Sequence, residues 1–174
     1  RGLRVTGSEL VGLVPKSALV EAGKYYLKKQ GRSLGISESD IIECAVQSLG
    51  LNDVSKFNTK EKIIEFAIKD DKDSLLHLST DDLIYSISQN SPAPGGGSVS
   101  ALAGSLGAAL LSMVSLLTYD KKEYFNRRTK MSRFGEMAHK YQKRLYELVD
   151  EDTHAFDNVM NASRLPGESK SEIK

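Results

Sequence analysis

One uncharged stretch constrains this chain more than any other feature. Residues 99–117 form a run of 19 residues without a charged side chain. A run of that length can cross a bilayer as a helix. It is rich in small residues, however, and Ser100, Gly104, Ala108 and Ser112 recur every four residues on one helical face. Because such a face lets a neighbouring helix approach closely, we predict a helix buried on all sides in a soluble bundle, with a membrane span as the alternative.

Helix start and stop signals recur along the rest of the chain. Pro15 and Gly31 bracket one helix, and Ser37 and Gly50 bracket a second. Ser79 begins a third helix, which ends before the Pro- and Gly-rich segment that precedes the uncharged run. Together these signals predict a mainly α fold.

A charged run divides the chain into two parts. Residues 69–74 read Lys-Asp-Asp-Lys-Asp-Ser, without apolar periodicity, so they are a linker or an exposed turn inside one domain. We expect residues 1–68 to end an α/β (α+β) subdomain in which residues 3–14 form one or two short strands. Residues 69–78 would be the linker, and residues 79–174 would begin an all-α bundle.

Five residues lead directly into the uncharged helix: Pro94, Gly95, Gly96, Gly97 and Ser98. Glycines let the backbone approach a ligand closely, and a helix start offers free N–H groups and a positive dipole end to an anion. The segment could therefore bind a carboxylate or phosphate, or it could be only a flexible entry to the helix. It lacks the Gly-Lys-Ser/Thr of a Walker loop.

Asp152 is the candidate for catalysis. It falls inside an apolar helical stripe, four residues after Leu148 and three before Ala155. A carboxyl group among apolar neighbours favours its neutral form, which suits a general acid and base. The alternative is a carboxylate that only hydrogen-bonds a neighbouring helix. Asp150 points the opposite way and should be solvated, as should Glu151 in part.

Positive charge is concentrated in residues 121–147, although the formal net charge of the chain is only +1. These cations could form a solvated helix face or attract a polyanion, and the whole-chain charge makes no case for nucleic acid. The three histidines and Cys44 show no metal-ligand spacing, so we predict no metal. The single cysteine, interpreted as a buried thiol, excludes an internal disulfide and fits a reducing, cytoplasmic location.

Several motifs resemble the formimidoyltransferase–cyclodeaminase family. Residues 91–101 (SPAPGGGSVSA) and 148–156 (LVDEDTHAF) resemble its cyclodeaminase part. Residues 6–15 (TGSELVGLVP) and 60–66 (KEKIIEF) resemble the end of its glutamate formimidoyltransferase part. Both parts in this order indicate the bifunctional enzyme, of which this chain would be an internal fragment.

The resemblance implies a soluble folate enzyme of histidine breakdown. It would transfer a formimidoyl group from formimidoglutamate to tetrahydrofolate, then close the ring to 5,10-methenyltetrahydrofolate and release ammonia. Asp152 corresponds to the family's acid/base aspartate, and the Gly-rich segment would contact folate. The resemblance also implies polyglutamylated folates, whose tails the basic segment would hold. The residues proposed for the tail are Arg127, Arg128, Lys130 and Arg133.

Further expectations concern activity, assembly and the alternative functions. The transferase's catalytic histidine has no counterpart here, so we expect no transferase activity from these 174 residues alone. The small-residue helix suggests a homo-oligomer built from dimers. The enzymatic alternative is the related methenyltetrahydrofolate cyclohydrolase, against which the upstream transferase-like segment argues. The non-enzymatic alternative is a helical module whose basic face binds an acidic partner or RNA.

Overall fold

The computed structural model describes residues 7–68 and 74–164, and these are mainly α-helical. Short 3-10 helices cover Leu75–His77 and Lys122–Arg127. The α-helices of the described residues are α1 (Lys16–Lys29), α2 (Glu38–Leu49), α3 (Thr59–Lys62), α4 (Ile64–Ala67), α5 (Thr80–Ile87), α6 (Gly96–Asp120) and α7 (Arg128–Ser163). The predicted mainly α fold is confirmed.

The strand predicted for residues 3–14 is not found. Residues 3–6 lie outside the described part of the chain, and residues 7–14 form no strand. Val14 makes one isolated parallel bridge with Ile63, in which its N–H donates to Lys62 O at 2.9 Å. The prediction is wrong for residues 7–14 because their other backbone groups have no adjacent strand with which to form a ladder. Half of the predicted linker, residues 69–73, also lies outside the described residues.

The described residues divide into two compact units. The first holds residues 7–68 and 108–141, and the second holds residues 74–107 and 142–164. The division passes through α6 and α7, so each of these long helices contributes one part to each unit.

In the first unit, α1 and α2 pack closely. The hydroxyl of Ser37 accepts the Asp40 N–H at the start of α2, and Gly50 ends that helix at φ +66°, as predicted. A Cβ on Gly23 of α1 would overlap the carbonyl of Ile41, so a glycine is required where the two helices meet. The main core cluster consists of Leu19, Ile42, Ala45, Val46, Leu51 and Ile63.

Pro15 precedes α1 and has no side chain that can cap it, so the carboxylate of Glu65 caps the start of this helix. The N–H of Lys16 donates to Glu65 Oε2 at 2.8 Å. This bond from a backbone N–H holds the pKa of Glu65 below its usual value. Glu65 thus couples the short helix α4 to the start of α1.

The uncharged helix α6 is not buried on all sides within the described chain. Its buried residues recur at alternating spacings of three and four: Ser98, Ala101, Ser105, Ala108, Ser112 and Ser115. Most of its large apolar side chains are exposed: Val99, Leu106, Leu110, Leu111, Met113, Val114 and Leu117. The predicted stripe at every fourth residue failed because that spacing drifts around a helix, whereas alternating three and four keeps one face aligned.

Small residues face the packed side of α6 and large apolar residues face outward. In the first unit, Ser112 Oγ lies 2.7 Å from His139 Nε2 of α7. In the second unit, Ser105 Oγ donates to Gln142 O of α7 at 3.1 Å. By length and composition α6 could cross a membrane, a property that core helices of soluble proteins share, and 28% of its most apolar part is buried.

Candidate functional site

The Gly-rich segment forms the first turn of α6, in the second unit. The peptide bond between Ala93 and Pro94 is cis, and α6 begins two residues later at Gly96. The first backbone N–H groups of a helix have no partner inside it. One of them, the N–H of Ser98, donates to Asp152 Oδ2 of α7 at 2.9 Å. The predicted anion-binding helix start is therefore engaged by a carboxylate of the same chain.

The side chain of Ser98 faces α7 and is buried, with 2% of its residue surface exposed. Its Oγ lies 2.9 Å from Val149 O, 3.1 Å from Asp152 Oδ2 and 3.1 Å from Thr153 Oγ1. The ligand contact predicted for Ser98 stays a prediction, and in the described chain its side chain is bound to α7. The sequence reasoning missed Thr153, although its position directly after Asp152 was the available signal.

The three glycines of this segment differ in the space that a side chain would have. A Cβ on Gly97 would overlap the carboxyl group of Asp152, of which Oδ1 would lie nearest. A Cβ on Gly96 would meet nothing within 4 Å, and one on Gly95 would lie 3.1 Å from Pro92 O. Gly97 is therefore the glycine that lets the carboxylate reach the helix start.

Asp152 was predicted to be buried among apolar residues, and that prediction is wrong for the described chain. The residue is exposed, as is Ala155 further along the same stripe, while Leu145 and Leu148 are half-buried. Its Oδ2 is nevertheless held by Ser98, at the positive end of the α6 dipole, which stabilises a negative charge. Within the described residues no hydrogen bond is made to Oδ1.

Asp152 lies at a cleft of about 500 Å³ between α6 and α7. The cleft is mostly apolar, and its wall is a mixture of small residues from α6 and aliphatic residues from α7. The residues that line it are Gly97, Ser100, Ala101, Leu145, Leu148, Glu151, Asp152 and Ala155. One carboxylate with one restrained oxygen beside an apolar cleft can exchange protons with a bound molecule.

Asp150 was predicted to be solvated, and the structure corrects this. Its Oδ2 accepts from Ser74 Oγ at 2.6 Å, and its Oδ1 accepts from the Leu75 N–H at 2.9 Å. Asp150 does point away from Asp152, as the helical period requires, but the segment before α5 occupies that side. Asp150 therefore caps the 3-10 helix Leu75–His77 from a distant part of the chain.

An ion pair adjoins the cleft on α7. Arg144 Nη2 donates to Glu151 Oε2 at 2.9 Å, and a second bond joins Nη1 to Oε1. These bonds to Arg144 lower the pKa of Glu151, and the bonds to Glu151 raise the pKa of Arg144. Glu151 is exposed, as predicted, and this pairing restrains one polar side chain of the cleft wall.

The proposed tail-binding cations lie in the first unit. The Arg128 guanidinium lies 5.1 Å from the Tyr119 ring centroid and 4.7 Å from that of Phe125, and its Nε donates to Tyr119 O at 3.0 Å. The Arg128 side chain therefore already contacts Tyr119 and Phe125 within the fold. Lys130 lies over the ring of Phe134 at 5.5 Å. The structure leaves Arg127 and Arg133 exposed.

Within residues 7–68 and 74–164, no group of three or more His, Cys, Asp or Glu side chains could hold a metal ion. The site is therefore a helix pair with one anchored carboxylate at an apolar cleft, which is the kind of site that general acid–base enzymes use.

Two family models match this chain. The model described as formiminotransferase domain matches residues 1–69, and the one described as formiminotransferase-cyclodeaminase matches residues 79–174. The chain therefore belongs to the formiminotransferase-cyclodeaminase family, as its motifs indicated.

Relatives of this chain carry names from folate metabolism. The chain is 38% identical over 173 residues to formimidoyltransferase-cyclodeaminase of Gallus gallus. This match covers 98% of this chain and 32% of that protein. Identity to the Mus musculus formimidoyltransferase-cyclodeaminase is 38% over 172 residues, with the same coverage of both chains. Methenyltetrahydrofolate cyclohydrolase of Methylorubrum extorquens is 36% identical over 86 residues, which is 49% of this chain and 41% of that protein. The chain spans about a third of the length of the first two relatives.

Proposed function

We propose that this chain carries the cyclodeaminase acid–base group of a folate enzyme of histidine breakdown, and that the group is Asp152. The observation that carries the proposal is the anchored carboxylate, which has Oδ2 on the first turn of α6 and lines the apolar cleft. The family and its relatives' names support folate as the substrate class.

The proposed reaction needs one group that first accepts and then donates a proton. Starting from protonated 5-formimidoyltetrahydrofolate, N10 attacks the formimidoyl carbon, and the N10 proton passes to the carboxylate. The carboxylic acid then returns that proton to the amino nitrogen of the tetrahedral intermediate. The C–N bond breaks, ammonia leaves with the bonding electron pair, and the positive charge stays on 5,10-methenyltetrahydrofolate. A single carboxyl within reach of both nitrogens is sufficient for this sequence.

The cleft suits a flat, mostly apolar ring system better than a highly charged molecule. Ala101, Leu145, Leu148 and Ala155 provide apolar contact, and Asp152 provides the polar group. Substrate that covers the cleft would remove water from around Asp152, so the low-polarity environment that the sequence predicted would arise on binding.

Four wider proposals concern the whole protein. It would first transfer the formimidoyl group from formimidoglutamate to tetrahydrofolate, with residues 1–69 belonging to the transferase part. It would be cytoplasmic, without a nucleic-acid partner or a membrane span. Exposed Arg127, Lys130 and Arg133 would attract the polyglutamate tail of folate by their charge. The exposed apolar face of α6 would pair with a second copy of the chain to form a homo-oligomer built from dimers.

The test uses the full-length protein with Asp152→Asn, which keeps the size of the side chain and removes the acid–base group. We expect ammonia release from 5-formimidoyltetrahydrofolate to fall by about 100-fold to 10,000-fold. Formimidoyl transfer from formimidoglutamate should continue at the wild-type rate. Asp157→Asn, at an exposed aspartate on the same helix, is the control and should leave both rates unchanged. Ammonia release by Asp152→Asn at the wild-type rate would reject the assignment.

The cyclohydrolase reaction is the second candidate, because the Methylorubrum extorquens cyclohydrolase matches 49% of this chain. The two functions differ in whether the carboxyl serves loss of ammonia or attack of water on the methenyl carbon. Wild-type enzyme that hydrolyses 5,10-methenyltetrahydrofolate but releases no ammonia from the formimidoyl substrate would establish the cyclohydrolase instead.

A further inference from the structure

The carboxylate of Asp152 has two oxygens in different environments. Oδ2 accepts from the N–H of Ser98 at 2.9 Å and lies 3.1 Å from its Oγ. Oδ1 receives no hydrogen bond from any described residue, and the carboxyl group rests against the α-carbon of Gly97 beside the cleft. One residue therefore restrains one oxygen and leaves the other available.

Ser98 is itself held on several sides. Its buried Oγ also lies 2.9 Å from Val149 O, and Thr153 Oγ1 lies 3.1 Å away. A hydroxyl has one proton to donate and two lone pairs, so Thr153 can donate to Ser98 while Ser98 donates to a carbonyl or the carboxylate. This network fixes the Asp152 side chain relative to the start of α6.

We propose that Ser98 is the positioning residue of this site, and that Oδ1 of Asp152 is the atom that carries the proton. This inference rests on the proposed cyclodeaminase function. Protonation of Oδ2 would compete with the N–H of Ser98 and with the hydroxyl proton that Ser98 shares between Asp152 and Val149, whereas no described residue donates to Oδ1. The N10 proton therefore moves to Oδ1 as the N10–C bond forms. It moves from Oδ1 to the amino nitrogen as the C–N bond breaks and ammonia takes the electron pair.

The chain offers a matched control for Ser98. Ser105 lies on the same buried face of α6, is 4% exposed, and its Oγ donates to Gln142 O of α7 at 3.1 Å. It makes no hydrogen bond to a carboxylate among the described residues. Ser98→Ala and Ser105→Ala thus each remove one buried hydroxyl from the same pair of helices, and only the first loses a donor to Asp152.

The experiment measures cyclodeamination by the full-length enzyme across pH. For Ser98→Ala we expect kcat to fall on the order of 10-fold with KM changed by less than about twofold. Ser98→Thr, which keeps the hydroxyl, should restore the wild-type profile. Ser105→Ala should keep the wild-type profile even if its stability drops.

The outcomes distinguish failure of the proposed function from failure of the positioning role of Ser98. A fully active Asp152→Asn enzyme removes the proposed function. An inactive Asp152→Asn enzyme together with a Ser98→Ala profile equal to that of Ser105→Ala overturns only the positioning role. If Ser98→Ala does not fold, Thr153→Val is measured instead, because it removes a hydroxyl that contacts Ser98 without contacting Asp152. A smaller fall of kcat at unchanged KM then supports the inference, and an unchanged kcat overturns it.

Discussion

Replacement of Gly97 by alanine tests whether the close approach of Asp152 to α6 matters. Alanine in a helix is normally more favourable than glycine by about 1 kcal/mol. Here the new Cβ would overlap the carboxyl group of Asp152, which must swing away. It would then lose the hydrogen bond from the Ser98 N–H and its share of the Ser98 hydroxyl proton, which together contribute about 2 kcal/mol because the acceptor is charged. The net expectation is a destabilisation of about 1 kcal/mol, opposite in sign to the usual effect.

Gly96→Ala is the matched control, since it lies in the same helical turn and its Cβ would meet nothing within 4 Å. Both variants carry the same gain in helix propensity, so the difference between them isolates the hydrogen bonds to Asp152. That difference is about 2 kcal/mol.

The assay is amide hydrogen exchange over the first turns of α6, followed by mass spectrometry. We expect Gly97→Ala to exchange about 30-fold faster than Gly96→Ala, which corresponds to about 2 kcal/mol of local opening. Cyclodeamination should fall further in Gly97→Ala than in Gly96→Ala. Equal protection and equal kcat in the two variants would show that the contact between Asp152 and the start of α6 contributes neither stability nor activity.

Two further predictions concern the ion pair and the open face of α6. Arg144 lowers the pKa of Glu151 below its reference value of 4.5, so the pair stabilises the fold above that pH and the contribution is lost as pH falls through the lowered pKa. Glu151→Gln should therefore lower the thermal midpoint slightly at pH 7, and this effect should shrink as the pH is lowered below 4.5. An effect that does not change with pH would contradict the pairing. Gly107→Leu adds bulk where a Cβ meets nothing within 4 Å, so light scattering should show a smaller oligomer, and an unchanged mass would reject that interface. Gly104→Leu would not test this interface, because a Cβ at Gly104 would already lie 3.2 Å from Leu145 Cδ1 within the same chain.

The helices could be predicted from the sequence because their signals are local. The Ser37 and Ser79 caps, the left-handed Gly50 and the apolar spacing in α7 act within a few residues of each other. The motifs around Asp152 were likewise sufficient to indicate the family, which the matching models then showed. The strand at residues 7–14 could not be judged in this way, since a strand depends on a partner elsewhere in the chain.

Local signals in the sequence were thus enough to predict the helical class and the family, and to single out Asp152 as a candidate. Three features followed from packing alone: Ser98 faces Asp152, Asp150 caps a distant turn, and large residues on α6 lie exposed. The physical reason is that the period of one helix defines its faces, but not which neighbour covers each face. The axial register between two helices, which brings Ser98 level with Asp152, depends on how their side chains pack together.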